Sequence, residues 1–500
     1  MTGGNGQRGA VAAGHRVTAE AAAEILADGG NAFDAAIAGL WAACVCEPVL
    51  ASPGGGGFMM AHHQGETRLV DFFVDTPRAK RPAADIDFRE ILADFGTATQ
   101  AFHIGAGATA TPGFVPGVFA IHETLGSLPM TRLVEPAIRA AKGGVVMTPF
   151  QAYLFNVVSP ILTATPAAAG MFAEGGATLP VDHLFRNPAL ADALDALSRE
   201  GPRLEREGEI GRAILEAQRD AGQLTAADLA GYRVEIRRPL DLAVGKARVS
   251  LNPPPALGGG LIAAMLAELG EGATTTGAAD RALAIAGAVD RIDRLWRTDP
   301  EGLSRRIAVA LEADRPRATR GTTHISVVDR DGNAAAATVT NGEGNGALVP
   351  GAGYMLNNML GEEDLNPKGF HRWISGIRLA SMMAPTVVVG RDGGLLALGS
   401  GGSNRIRTAV LQAIVARLKR GLTLHDSIEA PRLHVERGRL DFEDLAGEEV
   451  ADALRGAFPD HCAWPEHNMF YGGVHAVELL AGGGIEAAGD PRRAGVGIVV

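Results

Sequence analysis

The stretch from Ala35 to Val45 constrains the fold more than any other, because Ala, Ile, Leu and Val follow one another there almost without interruption. A helix with one apolar stripe sits on a surface, whereas a helix apolar on nearly every side must be enclosed by other elements. Asn31 is placed to cap it and Asp34 falls in its first turn, so the spacing predicts a helix from there to about Cys46. The run is too short to cross a bilayer, which needs ~20 residues. Before it, Thr18 is expected to cap a first helix that Gly29-Gly30 ends. After it, Ser52-Pro-Gly-Gly-Gly-Gly57 breaks the chain sharply. Phe58–Ala61 and Thr67–Phe73 then read as two strands around a polar turn from His62 to Glu66.

A core large enough to enclose such a helix is available, since 46% of the 500 residues are hydrophobic. That excludes global disorder. Aromatics are scarce at 5% and glycines number 66, which suits closely packed helices and tight turns. The net charge of −11 would repel a polyanion, so nucleic acid and anionic membrane are excluded as partners. The arginine clusters at Arg78–Arg81 and Arg315–Arg320 remain compatible with a small anionic substrate. Cys44, Cys46 and Cys462 make neither a disulfide framework nor a zinc site. The histidines, among them His62-His63 and His122, lack paired ligand spacing, so no metal or organic cofactor is expected. Met1–Gly14 is Gly-rich without an apolar signal core, and the expectation is a soluble, cytoplasmic protein.

Apolar spacing predicts helices over Met130–Lys142, Leu190–Arg199, Ile210–Asp220 and Gly260–Leu269. A further helical stretch, Ala278–Val309, runs into a charged loop from Glu312 to Arg320. At Thr322 the texture changes. His324–Val328, the turn Asp329-Arg-Asp-Gly332 and Asn333–Thr340 read as a hairpin. Met383–Val389 and Leu395–Leu398 read as another, and a helix over Arg407–Arg420 follows. Strands in the last third with helices on either side predict stacked helix and sheet layers, an α+β class.

The chemistry concentrates at Gly321-Thr322-Thr323-His324. A threonine hydroxyl is a poor nucleophile unless a base takes its proton. A chain that begins with threonine carries that base in its own α-amine, whose pKa lies near ~8. Gly321 is a small residue before the threonine, the charged loop is an exposed connection, and the β-run fixes the hydroxyl. Thr338 and Thr340 alternate on the return strand and share one face, so either is placed to reach Thr322. Gly399-Ser-Gly-Gly-Ser-Asn-Arg405 lies between a strand and a helix. Its N–H groups can form an oxyanion hole or simply a tight turn. A phosphate loop would end in Gly-Lys-Ser/Thr, which is not present.

Several segments in series resemble the γ-glutamyltranspeptidase family of N-terminal-nucleophile hydrolases. They are Gly29-Gly-Asn-Ala-Phe-Asp-Ala-Ala36, Glu47-Pro through Phe58, Thr111-Pro-Gly-Phe-Val-Pro-Gly117, Thr322-Thr-His-Ile-Ser-Val-Val-Asp329, Asn357-Asn358, Ser381-Met-Met-Ala-Pro385 and Gly399–Arg405. The resemblance implies an αββα four-layer sandwich, cut by its own chemistry into segments 1–321 and 322–500 that stay together around one core. It implies Thr322 as nucleophile, Thr340 as supporting hydroxyl, and Gly401 and Gly402 as the oxyanion hole. Asn341, Glu362, Ser381 and Ser403 fall at substrate-binding positions, with Glu363 or Asp364 as alternatives to Glu362. Asn404 looks like a one-residue insertion. The implied reaction is cleavage of γ-glutamyl amides such as glutathione through a threonine acyl-enzyme.

The match departs where the family grips a carboxylate. Phe73 stands where an arginine is expected and cannot pair with an anion, and Ala380 replaces one of two serines. Losing such an arginine costs on the order of 2–5 kcal/mol of binding. Asp87-Phe88-Arg89-Glu90 spells the family's letters but lies too far along the chain. Arg78, Arg81 and Arg378 are substitutes from another direction, each otherwise a surface charge. The loop after Thr340, Asn341-Gly-Glu-Gly-Asn-Gly346, is abbreviated, which favours water over an amine as acceptor. Two further readings therefore stand beside the first: an acylase acting on another N-acyl amide, and a non-processing scaffold.

Overall fold

The computed structural model describes residues 6–94, 99–270, 277–306, 317–318, 321–362 and 369–500. The predicted buried helix forms over Ala32–Cys46, and all of its residues are buried. Asn31 and Asp34 make the reciprocal capping box that fixes its start. The preceding helix, Arg16–Ala27, begins two residues before Thr18. The His15 ring accepts from the Val17 N–H as its cap, while the Thr18 hydroxyl is drawn away to Glu47.

Two antiparallel sheets organise the molecule. The first runs in the order Glu235–Arg237, Glu66–Phe72, Gly56–His63, Ala334–Thr340, Thr322–Asp329, Gly9–Ala13 and Val496–Val499. The second runs Leu240–Val244, Ala247–Leu251, Thr386–Gly390, Leu395–Gly401, Gly473–Leu479 and Ile485–Ala488. Side chains alternate across a strand, and the alternation decides the packing. Along Thr322–Asp329 and its partner, Ile325, Val327, Ala335, Ala337 and Val339 join the core shared with helix Ala32–Cys46. Val328, Ala334 and Ala336 face the other way, into a core that includes Leu396, Leu398, Val474 and Ala476 of the second sheet. Helices Gly258–Leu269 and Ile406–Ile414 line that second core. Fully burying one Val, Leu, Ile or Phe is worth about 1.5–3 kcal/mol. A one-residue slip of the hairpin would exchange its faces, so this double burial holds the register.

Three expectations are corrected. The long helical stretch from Ala278 divides at Asp299, into Ala278–Thr298 and Pro300–Arg306, because proline disfavours helical backbone just before it. Its last residues, and the charged segment except for Arg317–Ala318, lie outside the described residues. Arg317–Ala318 is a short strand, not loop, and runs parallel to Ala380–Ser381. The helix after the glycine turn starts as a 3-10 turn at Ser403–Arg405, becomes α-helical over Ile406–Ile414, and ends in a π turn at Val415–Lys419. Among the described residues no helix is long and apolar enough to cross a membrane.

Candidate active site

Thr322 opens its strand and sits directly opposite Thr340. Both are buried. The Thr340 hydroxyl donates to the Gly321 carbonyl oxygen at 2.6 Å and accepts from the Gly342 N–H at 3.0 Å. It has one hydrogen, so its direction is fixed: it is committed to the carbonyl of the peptide bond before Thr322. A donor aimed there stabilises the negative charge that attack on that carbonyl would create. Gly321 adopts φ +52, the left-handed region that glycine enters without strain.

Thr338 is engaged elsewhere. Its hydroxyl lies 2.7 Å from His324 Nδ1, and His324 Nε2 lies 2.8 Å from Ser326 Oγ. Ser326 gives its only proton to the His475 carbonyl, so Nε2 must donate and Nδ1 must accept from Thr338. Burial holds the His324 pKa well below the usual range, so the ring stays neutral, as this chain requires. A side chain on Gly399 would begin 2.3 Å from the His324 ring. The glycine thus lets the second sheet close on the strand that carries Thr322.

Gly401, at the end of that second-sheet strand, packs backbone against backbone under the threonine: a side chain there would begin 2.2 Å from the Thr322 carbonyl oxygen. Gly402 follows at φ +120, beside Arg493. Ser403 turns at φ +60, and its buried hydroxyl has no hydrogen-bond partner among the described residues. The extra residue, Asn404, is absorbed in the 3-10 turn and points to Glu436 at 3.1 Å.

Two charged residues that sequence reasoning did not single out stand behind the threonine. Glu47 is buried and accepts from Thr323 at 2.7 Å and Thr18 at 2.9 Å. Burial pushes its pKa up, against the pull of those hydroxyls and of Arg493. Arg493 Nη1 reaches the Thr322 carbonyl oxygen at 3.5 Å, and burial lowers its pKa to about 10. Glu47 opens the Glu47-Pro run that leads to Phe58, a local signal of its importance. Arg493 is 171 residues from Thr322, and nothing local announces it.

Glu362 comes close through the turn after Thr340. A side chain on Gly342 would begin 2.2 Å from Asn358 Oδ1 and 3.0 Å from Glu362 Oε1. Glu363 and Asp364 lie outside the described residues. Asn341 is fully buried, with both amide atoms lacking a hydrogen-bond partner among the described residues. The Ser381 hydroxyl accepts from the Met383 N–H at 3.1 Å, and its backbone pairs with Ala318.

Arg78, Arg81 and Arg378 are each held by partners of their own. Phe73 is fully buried and stacked on Phe58 at 5.3 Å. Arg378 is no surface charge: it is 5% exposed and binds Asp75 at 2.6 Å, the Asp71 carboxylate, and the Arg233 carbonyl at 2.7 Å. Arg78 donates to Gly231 and Arg81 to Arg219 and Gly222. Arg89 pairs with Asp87, beside a cavity of about 180 Å3 that Asn345 and Leu348 also line. Among the described residues no group of three or more His, Cys, Asp or Glu is placed to hold a metal ion.

Comparison with known proteins gives one consistent result. The family model described as Gamma-glutamyltranspeptidase matches residues 18–290 and 290–500. The chain is 31% identical to the Acylase ACY 1 proenzyme of Pseudomonas sp. (strain V22), over 90% of this chain and 86% of that protein. It is 30% identical to a Glutathione hydrolase proenzyme of Pseudomonas aeruginosa, over 98% of this chain and 94% of that one. The crystal structure of cephalosporin acylase from Bacillus halodurans superposes with TM-score 0.79, at 22% identity, covering 98% of this chain and 96% of that chain. It therefore shares the fold.

Proposed function

The chain belongs to the γ-glutamyltranspeptidase family, and from that premise we propose that it cuts itself at Gly321–Thr322 and then hydrolyses an N-acyl amide through Thr322. The observation that carries the reading is the 2.6 Å bond from Thr340 to the Gly321 carbonyl. The Thr322 hydroxyl attacks that carbonyl carbon, the C–N bond breaks, and the proton passes to the departing nitrogen. Water then hydrolyses the ester, leaving a Gly321 carboxylate and a free Thr322 α-amine. In the processed enzyme that amine takes the hydroxyl proton as the next amide is attacked. Gly401 and Gly402 serve the oxyanion, and Asn341, Glu362, Ser381 and Ser403 bind substrate.

The packing of two sheets between helices supports reading the architecture as the αββα four-layer sandwich. Segments 1–321 and 322–500 stay joined after cleavage. Buried links across the cut support this, such as Arg407 to Asp293 at 2.9 Å and Thr323 to Glu47. That the relatives are named proenzymes accords with it.

An acyl group other than γ-glutamyl is favoured by Phe73 and Ala380, which put a phenyl ring in place of an arginine and a methyl in place of one of two serine hydroxyls where an α-carboxylate would bind. The acylase relative accords with this reading. The γ-glutamyl reading keeps one specific support, Glu362 beside Gly342, an acid placed to meet an ammonium group. Purified enzyme assayed on γ-glutamyl, glutaryl and uncharged acyl p-nitroanilides separates the two. Higher kcat/KM is expected on an acyl group lacking the α-amino acid head, and no activity for Thr322→Ala on any of them. A clear preference for γ-glutamyl reverses the choice. Activity retained by Thr322→Ala removes the mechanism.

A further inference from the structure

We propose that Arg493 is a positioning residue: its guanidinium clamps the Thr322 carbonyl against the Gly401–Gly402 turn and places a fixed positive charge beside the nucleophile's α-amine. The inference rests on Thr322 being the nucleophile and on its freed amine being the base.

Three arginines converge near the end of the chain, and two of them are paired with carboxylates. Arg432 holds Asp490 at 2.6 Å, and Arg492 holds Glu443 at 2.5 Å. Arg493 makes no ion pair among the described residues. Its hydrogen bond there runs from Nη1 to the Thr322 carbonyl oxygen at 3.5 Å, and its buried Nε has no partner among them. A cation left unpaired largely out of water costs stability. The molecule tolerates that cost where the cation meets the backbone of the nucleophile.

Three glycines make room for it. Gly401 and Gly473 are paired across neighbouring strands, and Gly402 follows the first at φ +120. A side chain on Gly473 would begin 2.7 Å from Arg493 Cδ. One on Gly401 would begin 3.0 Å from Nη1, and one on Gly402 3.3 Å from Nη2. The aliphatic stem therefore crosses Gly473, and the two ends of the fork lie along Gly401 and Gly402. Asp490 caps the 3-10 turn Pro491–Arg493, accepting from the Arg492 N–H at 3.0 Å and the Val474 N–H at 2.8 Å. That ties the backbone of the arginine to the strand that carries Gly473. A planar fork reaches the carbonyl and the turn together, which a single ammonium cannot do.

The charge matters as well as the shape. Covalent geometry keeps the nitrogen of a residue within ~4.2 Å of its own carbonyl oxygen, so Arg493 Nη1 lies within about 8 Å of Thr322 N. A positive charge there disfavours a second one. It keeps the α-amine in the free-base form needed to take the hydroxyl proton. Arg493 stays charged through neutral pH, since burial lowers its pKa only to about 10. Other ionisable groups surround Thr322. Glu47, behind Thr323, pulls the opposite way, while burial keeps His324 and His475 neutral. Arg405 stands on the glycine turn, and Glu343 and Glu362 stand on the segment after Thr340. All of these are present in variant and wild type alike, so the difference between the two reads the charge of Arg493.

The test compares Arg493→Met and Arg493→Lys with wild type, each self-cleaved, on any acyl p-nitroanilide that wild type turns over. Methionine keeps an apolar stem and removes both fork and charge. Its kcat should fall by roughly 10–100-fold with KM within about 3-fold. The acid limb of its kcat/KM profile should move up by about one pH unit, because the amine now holds its proton more tightly. Lysine restores the charge without the fork, so its acid limb should stay at the wild-type position while its kcat lies between the other two. A merely structural residue would change the yield of folded enzyme and leave the limb in place. Arg493→Met with kcat within about 3-fold of wild type, a loss confined to KM, or an unmoved limb overturns the proposal. So does a limb displaced equally in both variants. If Arg493→Met folds, by near-UV circular dichroism, yet stays uncut, Arg493→Lys decides the matter, and a wild-type kcat in that variant overturns the clamp. Wild-type protein active with an intact Gly321–Thr322 bond, or activity retained by Thr322→Ala, overturns the underlying mechanism instead.

Discussion

Replacing Thr340 by valine keeps the shape and β-propensity of the side chain and deletes only its hydroxyl. The bonds lost include the 2.6 Å donation to the Gly321 carbonyl and the 3.0 Å acceptance from the Gly342 N–H. Thr340 is 2% exposed, so water cannot stand in for the missing group. In the ground state the unpaired, buried Gly342 N–H costs about 1–3 kcal/mol. At the transition state the loss is larger, because the oxygen then carries negative charge. Removing one such preorganised donor typically slows a reaction by ~100–1000-fold, about 2.7–4 kcal/mol. Self-cleavage should slow by that factor in Thr340→Val and by less than about 10-fold in Thr340→Ser, which retains a donor. The assay is the disappearance of the full-length chain on denaturing gels after synthesis, with near-UV circular dichroism to show that each variant is folded. Thr340→Val cutting itself at the wild-type rate, or Thr340→Ser failing as badly as valine, refutes the assignment.

Three other outcomes follow from the packing and the buried charges. Arg378→Met takes the buried guanidinium from Asp75 and leaves Asp71 with Arg237 alone, and should cost about 3–5 kcal/mol in urea unfolding, measured on the uncut Thr322→Ala background; a change below about 1 kcal/mol contradicts the buried pairing. Gly399→Ala drives a methyl into the His324 ring and should destabilise by about 1–3 kcal/mol, read in the same way, whereas an unchanged midpoint would show that the sheets can part there. Burial pushes Glu205 up to about 8, so the folded chain holds a proton that the unfolded chain releases above pH ~4.5. Stability then falls as pH rises through that window, by on the order of 5 kcal/mol, and Glu205→Gln should remove the fall. His15, His434 and His475, each lowered by burial to about 4, have the opposite sign: stability is lost as pH falls from 6.5 towards 4. The difference between Glu205→Gln and wild type should therefore widen steadily between pH 5 and 8, and parallel curves would contradict it.

What could be read from the residues was whatever local chemistry decides. The buried helix declared itself because an apolar run with Asn31 and Asp34 at its head has few other conformations open to it. The hairpin from Thr322 to Thr340 did so through alternation and a turn, and its register in the fold places Thr340 opposite Thr322. The features that were missed depend on residues far apart in the chain. Thr18 does not cap its helix because Glu47, 29 positions on, attracts its hydroxyl. Arg378 is buried because Asp71 and Asp75, about three hundred residues earlier, neutralise it. The choice between Thr338 and Thr340 also needed the fold: His324 claims the first only because Ser326 and the second sheet fix the ring. Nor could sequence show that the backbone ahead of Gly321 would align with Ala380–Ser381.

The most direct measurement is mass spectrometry, with amino-terminal sequencing, of purified protein that is turning over an acyl anilide. Two chains in equal amount are expected, 1–321 and 322–500, the second beginning with an unblocked Thr322 whose hydroxyl alone is acylated when a slow substrate is trapped. Active protein with an intact Gly321–Thr322 bond, or with the acyl group on another residue, would contradict it.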